Sequence, residues 1–311
     1  MTALLIVCAA CSAVVAAALT ALLVAETLRM RRRQGSGSLL QQRYLHIVLS
    51  ALGEEHPAVP RFPRLRRIGS RLLLAETLAG LVSMTYGLPT RPLAEMTARY
   101  RLDEWLLRRA RFAQGYRRAR YLALLSALPV SPGVAGRAAR YGRSRNRYVR
   151  FYALMVALAA EPPAALRRMG DCAWPFSATE VAEIIATLRR GMLPIAYRPL
   201  VASPAPNLRR VGLSIVRQFG IEEAEPLLVR LLADDAESGT DILYTLCALR
   251  RPLGRREIRA ALERLTPGER RALIRYMARS SYAPGELRRL FDRDECTYYA
   301  TLVQSHKRCL V

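Results

Sequence analysis

The sequence predicts an all-α protein in which one transmembrane helix precedes a stack of helical hairpins, an α-solenoid. Three observations support this prediction. Residues 2–25 form an apolar run without a charged side chain. The rest of the chain reads as helices of about 10–16 residues broken by Pro, Gly or Ser, without the alternation of a strand. From position 118 onward, a helical pattern recurs at intervals of about 30 residues.

The apolar run is long enough to cross a bilayer. At about 1.5 Å of rise per residue it reaches about 36 Å, which exceeds a hydrocarbon core of about 30 Å. A cleaved signal peptide is the alternative, but no basic residue precedes the run and its apolar part is too long. A lipoprotein signal at Cys11 is disfavoured further, because Cys8 stands where a leucine is expected. We therefore expect residues 1–28 to be a retained anchor.

Four arginines close the run, and only the α-amine precedes it. They are Arg29, Arg31, Arg32 and Arg33. Because positive charge stays on the cytoplasmic side, we expect a single-pass protein of a bacterial inner membrane, with its N-terminus outside and its body in the cytoplasm. Residues 29–38 then form a basic, Gly-Ser-containing tether, short enough to keep the body near the lipid surface.

The chain carries a formal net charge of +24, and Lys307 is its only lysine. The scarcity of lysine beside abundant alanine indicates a GC-rich bacterial genome, so codon usage explains part of the arginine content. The net positive charge still favours anionic lipid headgroups, acidic protein faces or nucleic acid as partners. The cysteines form no disulfide framework, which fits a reducing compartment.

Residues 39–113 are predicted to form a helical segment with divergent repeats. The first helix is expected over residues 39–52, before a segment rich in glycine and proline. A longer helix is expected over residues 64–86, where Glu76 and the length favour a core helix over a second membrane span. Residues 90–112 are expected to hold one or two shorter helices.

Residues 114–311 are predicted to form the repeat stack. The repeated pattern has three members on one helical face: a polar residue, a packing residue three positions later, and a second packing residue four positions after that. This pattern occurs at Arg118/Tyr121/Leu125, Arg150/Ala153/Ala157, Thr179/Ala182/Ala186, Arg209/Gly212/Val216, Asp241/Tyr244/Ala248 and Arg270/Leu273/Met277. The first members lie 32, 29, 30, 32 and 29 residues apart, which chance rarely produces.

The clearest unit spans residues 207–235. Asn207 is expected to cap its first helix, Gly220 to end that helix, and Pro226 to lie in the first turn of the second helix. Small residues in three units are expected to let a neighbouring helix approach closely: Ala153, Ala182 and Gly212.

This spacing resembles HEAT repeats, including the short PBS-lyase-type variety. Residues 207–220 match that family's pattern of a basic residue, a small residue and a closing apolar-glycine pair, and residues 146–154 match its Val-Arg-x-x-Ala core. The resemblance covers about residues 114–291, and the Thr179 unit departs from it because it lacks the arginine. The resemblance implies a right-handed α-solenoid of degenerate HEAT-like hairpins. A generic helical bundle is the alternative.

No catalytic or metal-binding constellation stands out. The three histidines form no His-Glu-x-x-His pair, and no phosphate-binding glycine loop occurs. Cys296, His306 and Cys309 match no structural zinc spacing and lack a fourth ligand. We therefore expect no enzyme activity, cofactor, metal or small-molecule ligand.

Arginine pairs are the remaining candidates for a binding site, because equivalent positions of stacked repeats align into a ridge. The candidate partner-binding residues are Arg118, Arg150, Arg209, Arg210, Arg270 and Arg271. Two roles stay open for them. In many HEAT repeats such an arginine is structural and bonds helix ends or loop carbonyls of the next repeat. The other role is a basic groove for an acidic partner.

The favoured function is a non-enzymatic scaffold or regulator for a membrane-associated protein with an acidic face, with anionic lipid as a further contact. The alternative is a HEAT-like DNA-binding or repair protein with a basic concave face, in which Trp105 or Trp174 could take part. The membrane run and the lack of a catalytic carboxylate beside these tryptophans disfavour nucleic acid. A bilin lyase or chaperone of the PBS-lyase type would need a pigment cleft, which the sequence does not reveal.

Overall fold

The structure, a computed structural model, describes residues 38–53, 59–84, 90–191, 196–234, 239–280, 282 and 284–308. Regular structure in these ranges is entirely helical, without a strand, which confirms the predicted all-α class. The chain divides into two compact units, one ending at Val134 and the other beginning at Ala135.

Within the described residues, five helices lie wholly in the first unit. They are α1 (38–53), α2 (Ile68–Met84), α3 (Thr90–Arg99), α4 (Leu102–Phe112) and α5 (Gly115–Ala127). The helix expected over residues 64–86 begins later, at Ile68, after a turn that includes Arg64. The helices expected over residues 39–52 and 90–112 are confirmed, and the second of these two ranges is divided into α3 and α4. Arg101 makes this division in a left-handed conformation, with φ 46°.

The apolar helix α2 belongs to the core of the first unit. It buries Leu74 and Leu78 completely and packs against α5. Glu76 lies on its partly exposed side and forms an ion pair with Arg120 of α5. The expectation of a core helix is therefore confirmed.

None of the helices within the described ranges combines the length and the hydropathy that a membrane crossing requires. The predicted anchor, residues 1–28, and its four flanking arginines lie outside the described residues. The single-pass topology accordingly stays a prediction.

The second unit contains long helices alternating with shorter ones. In chain order they are α6 (Pro132–Ala138, which begins before the boundary), a 3-10 helix (Ala139–Arg143), α7 (Arg147–Ala160), α8 (Pro162–Gly170), α9 (Ala178–Gly191), α10 (Tyr197–Val201), α11 (Pro206–Phe219), a second 3-10 helix (Glu222–Ala224), α12 (Glu225–Asp234), α13 (Gly239–Ala248), α14 (Arg256–Glu263), α15 (Pro267–Arg279), α16 (Pro284–Leu287) and α17 (Arg293–Arg308).

Alternate helices of the second unit contact each other in unbroken succession. Helix α7 contacts α9, α9 contacts α11, α11 contacts α13, α13 contacts α15, and α15 contacts α17. The shorter helices pack beside this series: α8 against α7 and α11, α10 against α11, and α12 against α13 and α14. The pattern predicted at six positions lies on α5, α7, α9, α11, α13 and α15.

Helix α11 contributes to two hydrophobic clusters. Val211 and Ile215 pack with buried residues of α7, α8 and α9. Leu213 and Val216 pack with buried residues of α12, α13 and α15. Because an amphipathic helix normally buries one stripe, burial on two sides indicates an interior position in the series.

Gly212 allows α11 to lie very close to α10. A Cβ atom at this position would lie 2.6 Å from the backbone nitrogen of Val201 and 2.9 Å from the Cβ of Leu200. The predicted role of Gly212 is confirmed, and Ala153 is also buried.

Ala182 does not have this role. Its side chain is exposed, because α9 turns Val181, Ile184 and Ile185 into the core. The expectation of a close helix approach at Ala182 is therefore wrong.

The ends of α11 confirm part of the sequence interpretation. Gly220 follows the helix in a left-handed conformation, with φ 61°, as expected for a C-terminal cap. Asn207, however, lies inside the first turn. Proline at the first helical position is favourable, and here Pro206 starts the helix one residue early, with Ala205 as the cap residue. The assignment of Asn207 as the N-cap is therefore wrong.

Candidate interaction surface

Four arginines of the predicted ridge occupy the same position, because each is the fourth residue of its helix. They are Arg118 on α5, Arg150 on α7, Arg209 on α11 and Arg270 on α15. In each case the side chain donates a hydrogen bond to a backbone carbonyl at or just beyond the end of the preceding helix.

The distances are those of ordinary hydrogen bonds. Arg118 Nε lies 3.1 Å from the carbonyl oxygen of Ala110 and 2.8 Å from that of Ala113, at the end of α4. Arg270 Nη1 lies 3.2 Å from the carbonyl oxygen of Leu262, in the last turn of α14. The last carbonyls of a helix lack partners within the helix and attract positive charge.

The other two arginines bind the segment after a short helix. Arg150 Nη1 lies 2.8 Å from the carbonyl oxygen of Ser144 and 3.3 Å from that of Arg145, just after the first 3-10 helix. Arg209 Nε lies 3.1 Å from the carbonyl oxygen of Ser203, just after α10. All four arginines therefore bond backbone carbonyls at or just after the end of the preceding helix, rather than carbonyls of a following one.

Ion pairs connect successive long helices of the second unit. Each carboxylate is the third residue of its helix, and each partner is an arginine on the long helix before it. The pairs are Arg147–Glu180 (2.6 Å), Arg210–Asp241 (3.5 Å) and Arg270–Glu295 (2.7 Å). A carboxylate in the first turn also complements the positive end of the helix dipole.

The Arg270–Glu295 pair has the most complete geometry. Arg270 Nε and Nη2 each lie 2.7 Å from a different oxygen of Glu295. The guanidinium also lies 5.5 Å from the centre of the Phe291 ring. The hydrogen bonds to Glu295 raise the pKa of Arg270, so this group stays charged and fixed.

Two of these carboxylates also close reciprocal capping boxes. Glu180 accepts a hydrogen bond from the backbone nitrogen of Ser177, and its own nitrogen is bonded to the Ser177 hydroxyl. Asp292 and Glu295 are arranged in the same way. Burial raises the pKa of Glu180, but the hydrogen bonds from Arg147 and Ser177 outweigh it and lower the pKa overall.

Asn207 and Arg210 fix the loop before α9. Asn207 Oδ1 accepts a hydrogen bond from the backbone nitrogen of Phe176 at 3.0 Å, and Nδ2 donates to the carbonyls of Cys172 and Trp174 at 3.2 and 3.0 Å. Arg210 Nη1 donates to the carbonyl of Phe176 at 2.9 Å. Arg210, predicted as a partner-binding residue, is thus engaged with its own chain.

Arg271 is the one predicted arginine on the outer surface without an interaction in the described chain. It borders a cavity of about 890 Å³ between the N-terminal ends of α15 and α17, which we call the α15–α17 cleft. Its charged and aromatic lining residues are Arg270, Arg271, Arg275, Asp292, Asp294, Glu295 and Tyr298. Three arginines and three carboxylates line it, so the cleft is balanced in charge and is not a purely basic groove.

The two tryptophans suggested for nucleic acid contact arginines of their own chain. The Arg150 guanidinium lies 4.7 Å from the centre of the Trp174 ring, and Phe176 packs edge-on at 6.2 Å. The Arg109 guanidinium lies 5.6 Å from the Trp105 ring centre. Base stacking needs a free aromatic face, and these contacts occupy one face of each ring.

Within the described ranges, no group of three or more His, Cys, Asp or Glu side chains could hold a metal ion. Cys172, Cys247 and Cys296 are free thiols. Burial raises the pKa of Cys247 to about 12, so this thiol stays protonated at neutral pH. A protonated, buried thiol is a poor nucleophile and metal ligand.

Comparisons with known protein families, with curated proteins and with solved structures find no match for this chain. The HEAT-like resemblance therefore stays a prediction from the repeat spacing.

The sequence interpretation missed Glu180, Glu295, Arg275 and Tyr298. A signal for the two glutamates was present: a capping residue followed three positions later by Glu, as in Ser177-x-x-Glu180. Arg275 follows Arg271 by four positions, which places both on one helix face. Nothing in the sequence pointed to Tyr298, because its place in the cleft depends on the packing of α17 against α15.

Proposed function

We propose that the chain is a membrane-anchored, non-enzymatic scaffold for a protein partner, and that its second unit is a right-handed α-solenoid of degenerate HEAT-like hairpins. The observation that best supports the proposal is the unbroken series of contacts from α7 to α17, with recurring ion pairs between successive members. Repeat stacks contact only their neighbours and offer extended binding surfaces.

The proposed partner is a protein at the cytoplasmic face of a bacterial inner membrane. Residues 1–28 would anchor the chain, and the flanking Arg29 to Arg33 would keep its body at that face. The arginines that bond backbone carbonyls are engaged in the fold. The partner would therefore contact the exposed Arg271 and Arg275 in the α15–α17 cleft.

Deleting residues 2–33 from the full-length protein tests the anchor. The deletion variant is expected in the soluble fraction, while the intact chain stays with membranes after a high-salt wash. High salt removes proteins held only by surface charge. A deletion variant that remains on membranes at high salt would contradict the anchor.

Charge reversal in the cleft tests the partner surface. We expect Arg271→Glu/Arg275→Glu to lower recovery of a stoichiometric partner from solubilised membranes by about tenfold or more, because reversed charges repel an acidic face. The matched control is Arg256→Glu/Arg259→Glu on α14, which also reverses two positive charges at exposed positions.

Equal losses in both double variants would contradict the assignment of the cleft. Thermal unfolding of all variants checks that the fold is intact. Tight, salt-dependent binding of duplex DNA by the wild-type protein would instead favour the DNA-binding alternative.

A further inference from the structure

The first unit contains a second type of arginine site. A cavity of about 740 Å³ lies beside the loop that precedes α2, and we call it the basic cavity. Six arginines line it: Arg61, Arg64, Arg66, Arg67, Arg71 and Arg99. Val59, Phe62, Leu65 and Tyr100 complete the lining, and no carboxylate is among these residues.

The positive charges of these six arginines face no carboxylate among the described lining residues. Within the described ranges, none of them forms an ion pair. The Nε atom of Arg71 is buried and has no hydrogen-bond partner among the residues that the structure describes. Buried polar groups in native proteins are nearly always bonded, and like charges in one cavity repel each other. An anion in the cavity would accept a hydrogen bond from Arg71 and would reduce the repulsion among the arginines.

The loop that carries most of these arginines is held in place by aromatic contacts. The Phe62 side chain is buried and its ring lies between the rings of Tyr44 and Tyr100, each 5.4 Å away between centroids. The Tyr44 hydroxyl donates to the Pro63 carbonyl at 2.6 Å, and the Tyr100 hydroxyl donates to the Pro60 carbonyl. The arginines therefore stand on a pre-organised loop.

The backbone of this loop contains an unusual conformation. Arg64 has φ 60°, in the left-handed region that favours glycine. Its carbonyl accepts a hydrogen bond from the Arg67 nitrogen at 3.1 Å, which closes a turn. Non-glycine residues in this conformation are strained and occur often at binding sites.

We propose that the basic cavity binds a phosphate group, carried either by a phospholipid headgroup or by a soluble phosphorylated compound. The planar guanidinium fork matches phosphate oxygens, and several arginines without carboxylates suit a group with more than one negative charge. The cavity exceeds the size of one phosphate, and its apolar residues leave room for an attached carbon group. The proposal does not depend on the partner surface of the second unit.

Calorimetric titration of the full-length protein in a neutral detergent tests the proposal. The probes are inorganic pyrophosphate and dihexanoyl phosphatidic acid, with dihexanoyl phosphatidylcholine as the zwitterionic control. We expect saturable binding of at least one anionic probe, and about a tenfold or greater loss of affinity in Arg61→Gln/Arg67→Gln. Phosphatidylcholine should not bind.

The matched control is Arg108→Gln/Arg117→Gln, which removes the same charge from exposed positions of the same unit. We expect it to change the affinity by about twofold or less, because exposed charges at a distance are screened. Thermal unfolding verifies that both variants are folded.

The two probes also identify the source of the phosphate. Binding of pyrophosphate assigns a soluble ligand, binding of the lipid alone assigns a headgroup, and both results support the proposal. It is overturned if neither anionic probe binds, if Arg61→Gln/Arg67→Gln binds as tightly as the wild type, or if the control loses as much affinity. None of these outcomes bears on membrane retention or on partner recovery.

Discussion

Three arginines of the second unit and the six arginines of the basic cavity in the first unit are used in opposite ways. In the second unit, Arg150, Arg209 and Arg270 each donate to a fixed backbone carbonyl, and Arg270 also binds a carboxylate. In the basic cavity, the described lining residues include six arginines and no carboxylate. The net charge of +24 therefore combines groups that stabilise the fold with groups that are free to meet a ligand.

The arginines of the second unit keep their positions only if its helices are closely packed. Gly212→Val should disturb that packing most. A Cβ at this position would meet backbone atoms of α10 at 2.6 Å, so the helices must separate. We expect the free energy of unfolding to fall by about 3 kcal/mol, measured by chemical denaturation. Gly254→Val is the control, because a Cβ at that position would meet no other part of the described chain within 4 Å. An unchanged midpoint in Gly212→Val would disprove the close approach.

Arg270→Ala tests whether an arginine of the structural kind stabilises the fold. It removes two hydrogen bonds to Glu295 and one to the Leu262 carbonyl. Glu295 would keep a partly buried, uncompensated charge, so we expect a loss of about 2 kcal/mol. The neighbouring Arg271→Ala should change stability by less than about 0.5 kcal/mol. Equal effects of the two substitutions would remove the distinction between fixed and free arginines.

The Arg147–Glu180 pair makes a smaller, pH-dependent contribution. Burial raises the pKa of Glu180, but its hydrogen bonds from Arg147 and Ser177 lower it below the ordinary value of 4.5. A carboxyl group whose pKa is lower in the folded than in the unfolded state stabilises the fold at pH values above its unfolded pKa. This stabilisation is lost as the pH falls through the folded pKa. Wild-type stability should therefore fall more steeply below pH 4.5 than that of Arg147→Gln, in denaturation curves measured from pH 7 to 3. Arg145→Gln, at a nearby exposed position, should follow the wild type.

Arg61→Gln should have the smallest effect on stability. Arg61 forms no ion pair with another described residue, so we expect the free energy of unfolding to change by less than about 0.5 kcal/mol. Relief of repulsion among the cavity arginines would make this change favourable. Thermal unfolding at low salt gives the measurement. A large loss of stability would instead place Arg61 among the structural arginines.

The sequence predicted local features better than contacts between repeats. The helix at 39–52 and the left-handed Gly220 were predictable, because periodicity and capping chemistry determine them locally. Residue size predicted the close approach at Gly212 but failed at Ala182, because a small residue permits a close approach only where a neighbouring helix packs against it. The role of Asn207 was not predictable, because that role depends on a loop about 30 residues earlier in the chain. The arginine ridge was found from its spacing. The spacing did not indicate which carbonyls it would bind.

The basic cavity could not be found from spacing at all. Its arginines come from one loop, the start of α2 and the end of α3. In a chain so rich in arginine, a local cluster is weak evidence for a site. The packing of Phe62 against two tyrosines, together with the hydrogen bonds of their hydroxyls to the loop, indicates that the cluster is held in one place.

The direction of the arginine-to-carbonyl hydrogen bonds has a consequence for biosynthesis. Each of the four arginines finds its acceptor between 5 and 8 residues earlier in the chain. A chain leaves the ribosome from its N-terminus, so the acceptor has already emerged when the arginine appears. Each helix end can thus be completed while translation continues, whereas the ion pairs between long helices must wait for the following long helix.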